Sequence, residues 1–398
     1  MDLADVSRLL VKASKDPVLR TGLDRSISSY WKKRKAIFGR YPYVEELARQ
    51  VREIKERSIS MMEELVKQAK ESVEENGGIA YVAKDAEEAR KIVGEIVGSG
   101  RMVIKAKSMT TEELKLREYL EELGNEVYET DLGEFLVQFL GPKPMHFISP
   151  SIHITREKVA EFLERFMGES VDKDDVEGMV ALVRKFLREK YFTADVGISG
   201  ANVFAADVGG VFLIENESNI RLTITLPDKY VAVVGMEKIV PTLGDAWKVV
   251  EVITRYGGYK VTSYVSLITR PSEASSGDLG PKEMHVIFLD NGRTEAAKDP
   301  VLRETLYCLR CGACQYLCPV FGIVGGYWSG LGSAYSGGIG VMWSYITEDE
   351  ERASYHSFAC LLCGRCKEAC PVKIDQARVL REIRRRMAEK MARGINPP

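Results

Sequence analysis

All eight cysteines of this chain belong to one spacing pattern that occurs twice near its C-terminus. The cysteines are Cys308, Cys311, Cys314 and Cys318 in the first copy, and Cys360, Cys363, Cys366 and Cys370 in the second. In both copies the last cysteine precedes a proline, so the chain reads C-x2-C-x2-C-x3-C-P twice. This spacing is typical of ferredoxins in which cysteine thiolates hold two [4Fe–4S] clusters. The pattern therefore predicts an electron carrier.

The spacing also predicts how the cysteines are shared between the two clusters. Three cysteines at intervals of three residues surround one side of a cluster, and in the two-cluster arrangement the fourth ligand comes from the other copy. The predicted ligands of the first cluster are Cys308, Cys311, Cys314 and Cys370. The predicted ligands of the second cluster are Cys360, Cys363, Cys366 and Cys318.

Zinc and disulfide bonds are the alternatives to iron–sulfur clusters. Thiolates are soft ligands that suit zinc as well as iron–sulfur clusters. Zinc ribbons, however, usually carry two separate C-x2-C pairs rather than two matching runs of four cysteines. Disulfide frameworks belong mainly to small secreted domains, and this chain has 398 residues. The residues alone leave both alternatives open while favouring the clusters.

Composition limits the class of protein further. The net charge of −2 argues against a dedicated nucleic-acid-binding protein. No stretch approaches the roughly 20 apolar residues of a transmembrane helix, and the N-terminus carries Asp2 and Asp5 rather than the apolar core of a secretory signal. We therefore expect a cytoplasmic protein without a transmembrane segment and without a nucleic-acid partner.

The chain divides into three predicted regions: an N-terminal helical extension at 1–57, an α/β domain at 58–295 and a cluster domain at 296–398. In the α/β domain, predicted strands alternate with helices, which favours parallel pairing with helical crossovers. These strands are Ile79–Val82, Met102–Ala106 and Glu126–Thr130. Thr110 and Glu113 are predicted to form a capping box between the last two of them.

After Tyr191 the pattern changes to short β-rich runs separated by Gly, Asn and Pro, which predicts antiparallel hairpins. The predicted runs are Val203–Val208, Val211–Glu215, Leu222–Leu226 and Tyr230–Val234. A helix at Leu243–Tyr256 and strands at Val261–Thr269 and His285–Asp290 complete this domain. The sheet is therefore expected to be mixed.

Basic residues lie inside or just after the cysteine copies, at Arg310, Arg365, Lys367 and Lys373. Positive charge beside an anionic cluster would favour its reduced form. The alternative is that these residues are solvated loop charges.

The usual nucleotide-binding signatures are absent from the sequence: no G-x-G-x-x-G follows a predicted strand, and there is no G-x-x-x-x-G-K-[ST]. The four histidines are scattered. His153 is the one we single out, because it follows the parallel strands at the edge where α/β proteins bind ligands.

Several strings resemble the family of lactate-utilization protein B, whose members join a LUD domain to an iron–sulfur segment. The strings are Lys105–Met109, Glu129–Glu134, Ser149–His153, Thr225–Asp228, Gly235–Pro241 and Leu289–Arg293. The glycine-rich stretch between the cysteine copies is also similar to that family.

The resemblance implies a LUD domain with an α/β fold like that of the sugar isomerases and CoA transferases, and a C-terminal helical domain of the ferredoxin type. It implies a role as the electron-transfer subunit of a complex that oxidises lactate, or another 2-hydroxy acid, rather than a role in catalysis. The partners would be a cysteine-rich or flavin dehydrogenase subunit and a second LUD protein.

A second hypothesis is that the LUD domain itself binds a small molecule or an acyl-CoA and performs chemistry on it, with the clusters as its redox partner. The candidate ligand residues are Lys107, Ser108, Glu134, His153 and Glu215. A carboxylate nucleophile of the CoA-transferase kind would be Glu134 or Glu215.

Overall fold

The alternation of strands and helices builds two sheets in the middle of the chain. The computed structural model describes residues 3–141, 144–272, 280–329 and 333–393. Its strands are β1 (Ile79–Ala83), β2 (Met102–Lys105), β3 (Glu126–Glu129), β4 (Val196–Ser199), β5 (Val203–Ala205), β6 (Gly210–Glu215), β7 (Lys229–Gly235), β8 (Ile239–Val240), β9 (Tyr264–Ile268) and β10 (Glu283–Leu289).

Helices surround the sheets and build both ends of the chain. They are α1 (Leu3–Ser14), α2 (Pro17–Arg40), α3 (Val44–Ser60), α4 (Met62–Glu75), α5 (Ala86–Val97), α6 (Met109–Glu113), α7 (Leu116–Glu122), α8 (Leu132–Leu140), α9 (Arg156–Met167), α10 (Val176–Thr193), α11 (Asn219–Thr225), α12 (Leu243–Tyr256), α13 (Arg293–Lys298), α14 (Phe321–Val324), α15 (Gly337–Thr347), α16 (Glu350–Ser357), α17 (Arg365–Ala369) and α18 (Gln376–Ala392).

The larger sheet has six strands in the order β1-β10-β7-β4-β2-β3, and all neighbouring pairs are parallel. The smaller sheet has the order β8-β5-β6-β9 and is mixed, because β5 pairs parallel with β8 while β6 runs antiparallel to β5 and β9. The α/β fold class is thus confirmed, and among the described strands the antiparallel pairs occur in the smaller sheet.

Two of the predicted hairpin strands are wrong. Leu222–Leu226 lies in and just after helix α11, whose Thr223 carbonyl lies directly over Gly197 of β4. Packing of this helix on the sheet overrides the β-propensity of its residues. Tyr230–Val234 does form a strand, but it is a central strand of the parallel sheet and is buried throughout. Strands covered on both faces appear as continuous apolar runs, so their pairing direction cannot be inferred from alternation.

The N-cap of the helix after β2 lies two residues before the predicted N-cap, Thr110. Ser108 is the N-cap, and the Ser108 side chain accepts a hydrogen bond from the Thr111 amide. Glu113 is buried and takes part in an ion network described below rather than in a capping box.

The N-terminal helices pack on both of the other regions. Trp31 donates its indole N–H to the carbonyl of Tyr316 at 3.1 Å, which ties α2 to the first cysteine loop. Tyr30 donates its hydroxyl hydrogen to the carbonyl of Tyr256 at 2.8 Å, which ties the same helix to α12. A single apolar core runs through all three regions. The predicted boundary at residue 57 falls inside α3.

A buried ion network joins the parallel sheet to the first cysteine loop. Arg293, after β10, lies 2.7 Å from Glu113 and also pairs with Glu237, which follows β7. Arg310, between the first two cysteines, donates to Glu237 at 2.7 Å and to the hydroxyl of Tyr335 at 2.8 Å. Tyr335 in turn donates to Glu113. The side chains of Glu113, Glu237 and Arg293 are fully buried.

The pKa values within this network show which charges it holds. Burial works to raise the pKa of Glu237, but the guanidinium groups of Arg293 and Arg310 outweigh it and hold that pKa well below its usual range. Burial alone would lower the pKa of Arg293, and its two carboxylate partners raise it instead. Glu237 and Arg293 are therefore charged, and each charge depends on its partners.

We expect Glu237→Gln to destabilise the protein by about 3–5 kcal/mol, because it leaves buried guanidinium charge without a partner. The midpoint of thermal unfolding, followed by circular dichroism, should fall accordingly. Glu87→Gln is the matched control, since Glu87 pairs with Lys91 on the surface and such pairs contribute little. Equal midpoints for the two variants would contradict the importance of the network.

Candidate iron–sulfur site and adjoining cavity

The two cysteine loops turn in the same way around their second cysteine. The residue before the second cysteine is left-handed in both, Arg310 with φ 56° and Leu362 with φ 55°. The glycine after that cysteine is left-handed as well, Gly312 with φ 72° and Gly364 with φ 74°. Glycine adopts this conformation without steric cost. The chain therefore turns tightly at these two glycines.

The left-handed residues direct their amides at the first sulfur of each loop. The amide of Arg310 donates to Sγ of Cys308 at 3.4 Å, and the amide of Leu362 donates to Sγ of Cys360 at 3.3 Å. Hydrogen bonds to cysteine sulfur are one of the means by which proteins tune an iron–sulfur cluster.

Four cysteines from both copies surround one small cavity: Cys308, Cys311, Cys314 and Cys370. Burial and the neighbouring thiols of Cys370 and Cys308 raise the pKa of Cys311 to about 12. Burial and the other three thiols also raise the pKa of Cys314. This grouping supports the first predicted ligand set.

Burial and neighbouring thiols also raise the pKa values of Cys366 and Cys318, which belong to the remaining four cysteines. Burial and the thiols of Cys318 and Cys360 raise the pKa of Cys366 to about 12. Burial, with Cys360 and Cys363 nearby, raises the pKa of Cys318 to about 11. Cys318 of the first copy thus lies with the first three cysteines of the second copy, which supports the second ligand set.

These surroundings fit iron–sulfur clusters. All eight thiols are free in the structure, and each group of four is crowded enough to disfavour thiolates unless positive charge compensates them, which cluster iron would do. Among the described residues, no set of three or more His, Cys, Asp or Glu side chains is arranged to hold a single metal ion.

The two groups of cysteines differ in depth. Cys308, Cys311 and Cys370 are buried, whereas Cys363 is exposed. Beside Cys363, Leu361 is 66% exposed and Phe358 is 47% exposed. The first cluster site is therefore interior, and the second reaches the surface next to exposed apolar side chains.

The basic residues of the cysteine loops have different surroundings. Arg310 is buried in the ion network, so it is not a solvated charge. Arg365 is exposed, and Lys367 pairs with Asp375 near the surface at 2.9 Å. Arg384 of α18 donates to the carbonyl of Cys360 at 2.6 Å, so its guanidinium lies close to the second group of cysteines.

A cavity of about 310 Å³, here called the sheet-edge cavity, lies between the parallel sheet and the first cysteine loop. Its floor is formed where strands end: Lys107 follows β2, Gly200 follows β4 and Lys238 follows β7. The chain leaves β2 toward the β3 edge and continues from β4 toward β7, on the other side. α/β proteins bind ligands at such a switch in direction, outside the carboxyl ends of the strands.

Three of the five candidate ligand residues line this cavity, namely Lys107, Ser108 and Glu215. Glu134 does not line it, but its carboxylate lies 3.8 Å from the Lys107 ammonium. Burial raises the pKa of Glu134 to about 8, against the opposing charge of Lys107. Of the two candidate nucleophiles, Glu215 lines the cavity and lies 2.9 Å from Arg221, whereas Glu134 lies outside the cavity wall.

His153 is also not among the residues that line the cavity. It lies beside α2, where the carbonyl of Ile152 and the backbone of His153 approach Gly22. Burial, together with the charge of Lys158, lowers the pKa of His153 to about 4, so its ring is neutral at neutral pH. The chain turns away from the sheet edge before it reaches this residue.

Sequence reasoning missed two cations on the cavity wall, Lys238 and Arg310, and missed that Cys311 lines the same cavity. Burial and the charge of Arg310 lower the pKa of Lys238 to about 7. The position of Lys238 was a usable signal, because it follows a buried apolar run just as Lys107 does. The approach of Cys311 depends on tertiary packing and has no local signal.

The fold and site define a class of protein: an α/β domain fused to a helical segment that presents two groups of four cysteines. Family models describe both parts, a LUD domain at residues 66–289 and a 4Fe-4S dicluster domain at 304–374. The cofactors are accordingly two [4Fe–4S] clusters. The chain belongs to the LUD-domain family that includes lactate utilization protein B.

Named relatives cover most of the chain. Lactate utilization protein B of Bacillus subtilis (strain 168) is 38% identical over 347 residues, which are 86% of this chain and 71% of the relative. Lactate utilization protein B 1 of Bacillus mycoides (strain KBAB4) is 37% identical over 342 residues, 85% of this chain and 70% of the relative. The uncharacterized electron transport protein YkgF of Escherichia coli (strain K12) is 34% identical over 378 residues, 94% of this chain and 78% of the relative.

A solved structure, a DUF162 family protein from Deinococcus radiodurans, gives a TM-score of 0.34 at 14% identity, covering 57% of this chain and 98% of that one. In the described part of the chain, no helix is both long enough and apolar enough to cross a membrane.

Cysteine substitutions test the predicted exchange of ligands between the copies. We expect Cys318→Ser, in the first copy, to impair the same cluster as Cys363→Ser, because both belong to the second ligand set. Each variant should lose up to about four of about eight iron atoms per chain, and the electron paramagnetic resonance (EPR) spectra of the two reduced variants should match. Cys308→Ser is the control that impairs the other cluster. A Cys318→Ser spectrum like that of Cys308→Ser would show that each copy serves its own cluster.

Proposed function

We propose that this protein is an electron-transfer subunit in the oxidation of a 2-hydroxy acid such as lactate. The names of the relatives support this role, since two of them refer to lactate utilization and the third refers to electron transport. The two cluster sites supply the chemistry, because a bound [4Fe–4S] cluster gains and loses single electrons.

The observation that carries the proposal is the difference in depth between the two sites. Cys311 lies on the wall of the sheet-edge cavity, and Cys363 lies at the surface. The first site is thus beside an interior cavity, while the second faces outward. This arrangement suits a carrier that conveys electrons between the interior and a docking partner.

The chain's own residues would keep the first site dry and rigid. Phe147, Ile339, Val372 and Ile374 line the cavity between the four cysteines of the first set. Arg310 fixes the loop through its bonds to Glu237 and Tyr335. Excluding water and fixing nearby charge are the main ways in which a protein sets the potential of a cluster.

The proposed partners are the other subunits of the oxidation complex: a cysteine-rich or flavin dehydrogenase subunit and a second LUD protein. Substrate chemistry would take place on a partner, because, of the two candidate nucleophiles, Glu215 is paired with Arg221 and Glu134 does not line the cavity. The proposed location is the cytoplasm.

Purified protein should contain about eight iron atoms per chain and accept two electrons in two one-electron steps. It should not oxidise lactate by itself. Metal analysis and an EPR-monitored redox titration measure these properties. Stoichiometric zinc without iron would contradict the proposal, and so would lactate oxidation by the isolated chain.

The exposed apolar side chains beside Cys363 make the proposed docking face testable. We expect Leu361→Asp to slow electron transfer to the complex partner by about tenfold, because apolar contacts at the centre of an interface dominate its stability. Stopped-flow reduction in the reconstituted complex is the measurement. The matched control is Val261→Asp, since Val261 is 69% exposed and Leu361 is 66% exposed. An equal effect of both substitutions would place the docking face elsewhere.

The cavity also favours the second hypothesis, that the LUD domain binds a small molecule. Its volume lies at the lower end of the range of small-molecule sites, roughly 300–1,000 Å³. An acyl-CoA transferase reaction in this cavity would have to use Glu215, which is paired with Arg221, because Glu134 lies outside the cavity wall. Thermal-shift measurements with lactate, glycolate and an acyl-CoA separate these possibilities, and no response to any of them would leave the cavity without a ligand role.

A further inference from the structure

The side chain of Lys238 is buried, and its nitrogen has no partner among the described residues. Lys238 follows β7 and is 6% exposed. It lines the sheet-edge cavity, and among the described residues it makes neither a hydrogen bond nor an ion pair. Burying a charge without a partner is costly, so an unpaired lysine that faces a cavity points to an anion as its missing partner.

Lys107 supplies a second, incompletely satisfied cation on the same cavity. Its Nζ is buried and has no hydrogen-bond partner among the described residues. The nearest carboxylate oxygen, from Glu134, is 3.8 Å away, which is beyond hydrogen-bond distance. Two lysines on different strand ends therefore face one cavity with unused donors.

The acidic residues of the cavity limit how much negative charge a ligand can bring. Asp131 is already used, because it accepts the Glu134 amide at 3.0 Å as the cap of α8. Glu215 is held by Arg221 at 2.9 Å. The carboxylates of Asp131, Glu215 and Glu217 nonetheless all lie on the cavity wall. Like charges repel, so this wall favours a ligand with a single negative charge over a multiply charged phosphate.

We propose that the sheet-edge cavity binds a small monocarboxylate, whose carboxylate group is held by Lys238 and Lys107. The apolar side chains of Phe147, Leu213 and Ile220 on the same wall would accommodate the remainder of such a molecule. A carboxylate in this position would pair with Lys238 and accept a hydrogen bond from Lys107, which makes none with the described residues.

The cavity wall includes Cys311 and Arg310, so a bound carboxylate would lie beside the loop of the first cluster. A 2-hydroxy acid and its 2-oxo acid product belong to this ligand class, and naming them rests on the proposed function. Binding itself does not depend on electron transfer, so the two proposals can fail separately.

Calorimetric titration of the iron-loaded, full-length protein tests the inference. The probes are sodium lactate, pyruvate, acetate and inorganic phosphate at equal ionic strength. We expect saturable binding of the carboxylates and none of phosphate. Lys238→Met, which removes the charge and keeps the length, should weaken carboxylate binding by about tenfold to a hundredfold. Ala201→Leu, which fills the cavity without changing charge, should weaken it as well.

Lys84→Met is the matched control. Lys84 is exposed and follows β1, at the carboxyl edge of the same sheet but on its far side. This control should bind like the wild type. Iron content and the thermal midpoint establish that each variant is folded, and if Lys238→Met loses its iron, the comparison rests on Ala201→Leu.

The inference is overturned if no carboxylate binds, if phosphate alone binds, or if a folded Lys238→Met or Ala201→Leu variant binds as tightly as the wild type. Iron content and reduction by dithionite are measured on the same samples. Normal reduction without carboxylate binding would refute the ligand site alone, and carboxylate binding by protein that cannot be reduced would refute the electron-transfer role alone.

Discussion

Glu113, Glu237, Arg293, Arg310 and Tyr335 form one buried polar network between the parallel sheet and the first cysteine loop. Burying these charges costs solvation energy, and for Glu237 the attraction of Arg293 and Arg310 outweighs that cost, so the charges depend on a defined geometry. Because Arg310 lies between Cys308 and Cys311 in sequence, fixing its guanidinium also fixes the loop that carries two predicted cluster ligands. The positions of the sheet-edge cavity and of the first cluster site relative to each other depend on this contact.

The sequence predicted the fold where signals are local. Strands β1, β2 and β3 were found from short apolar runs between caps, and α12 matches its predicted bounds. The prediction failed at Leu222–Leu226, where β-branched residues form a helix that lies on Gly197, and at Tyr230–Val234, whose burial on both faces conceals its direction. Both failures arise where packing against distant residues decides the outcome.

The site was predictable to a similar degree. Cysteine spacing predicted two groups of four, because ligand intervals are a local property. Among the candidate ligand residues, Lys107 and Ser108 were found from their place after a strand, whereas His153 was misplaced because the chain turns toward α2. Lys238 was overlooked although it follows a strand in the same way. The position of Cys311 on the cavity wall depends on how two remote segments pack, and no sequence pattern reports that.

The gathering of Cys370 with Cys308, Cys311 and Cys314 around one cavity has a consequence for how the protein matures. A chain leaving the ribosome presents three of these sulfurs long before it presents the fourth. The first cluster would thus become fully coordinated only after both cysteine copies have been made, by which time the LUD domain has had time to fold. Completion of this cluster in the cell then takes place on a preformed scaffold.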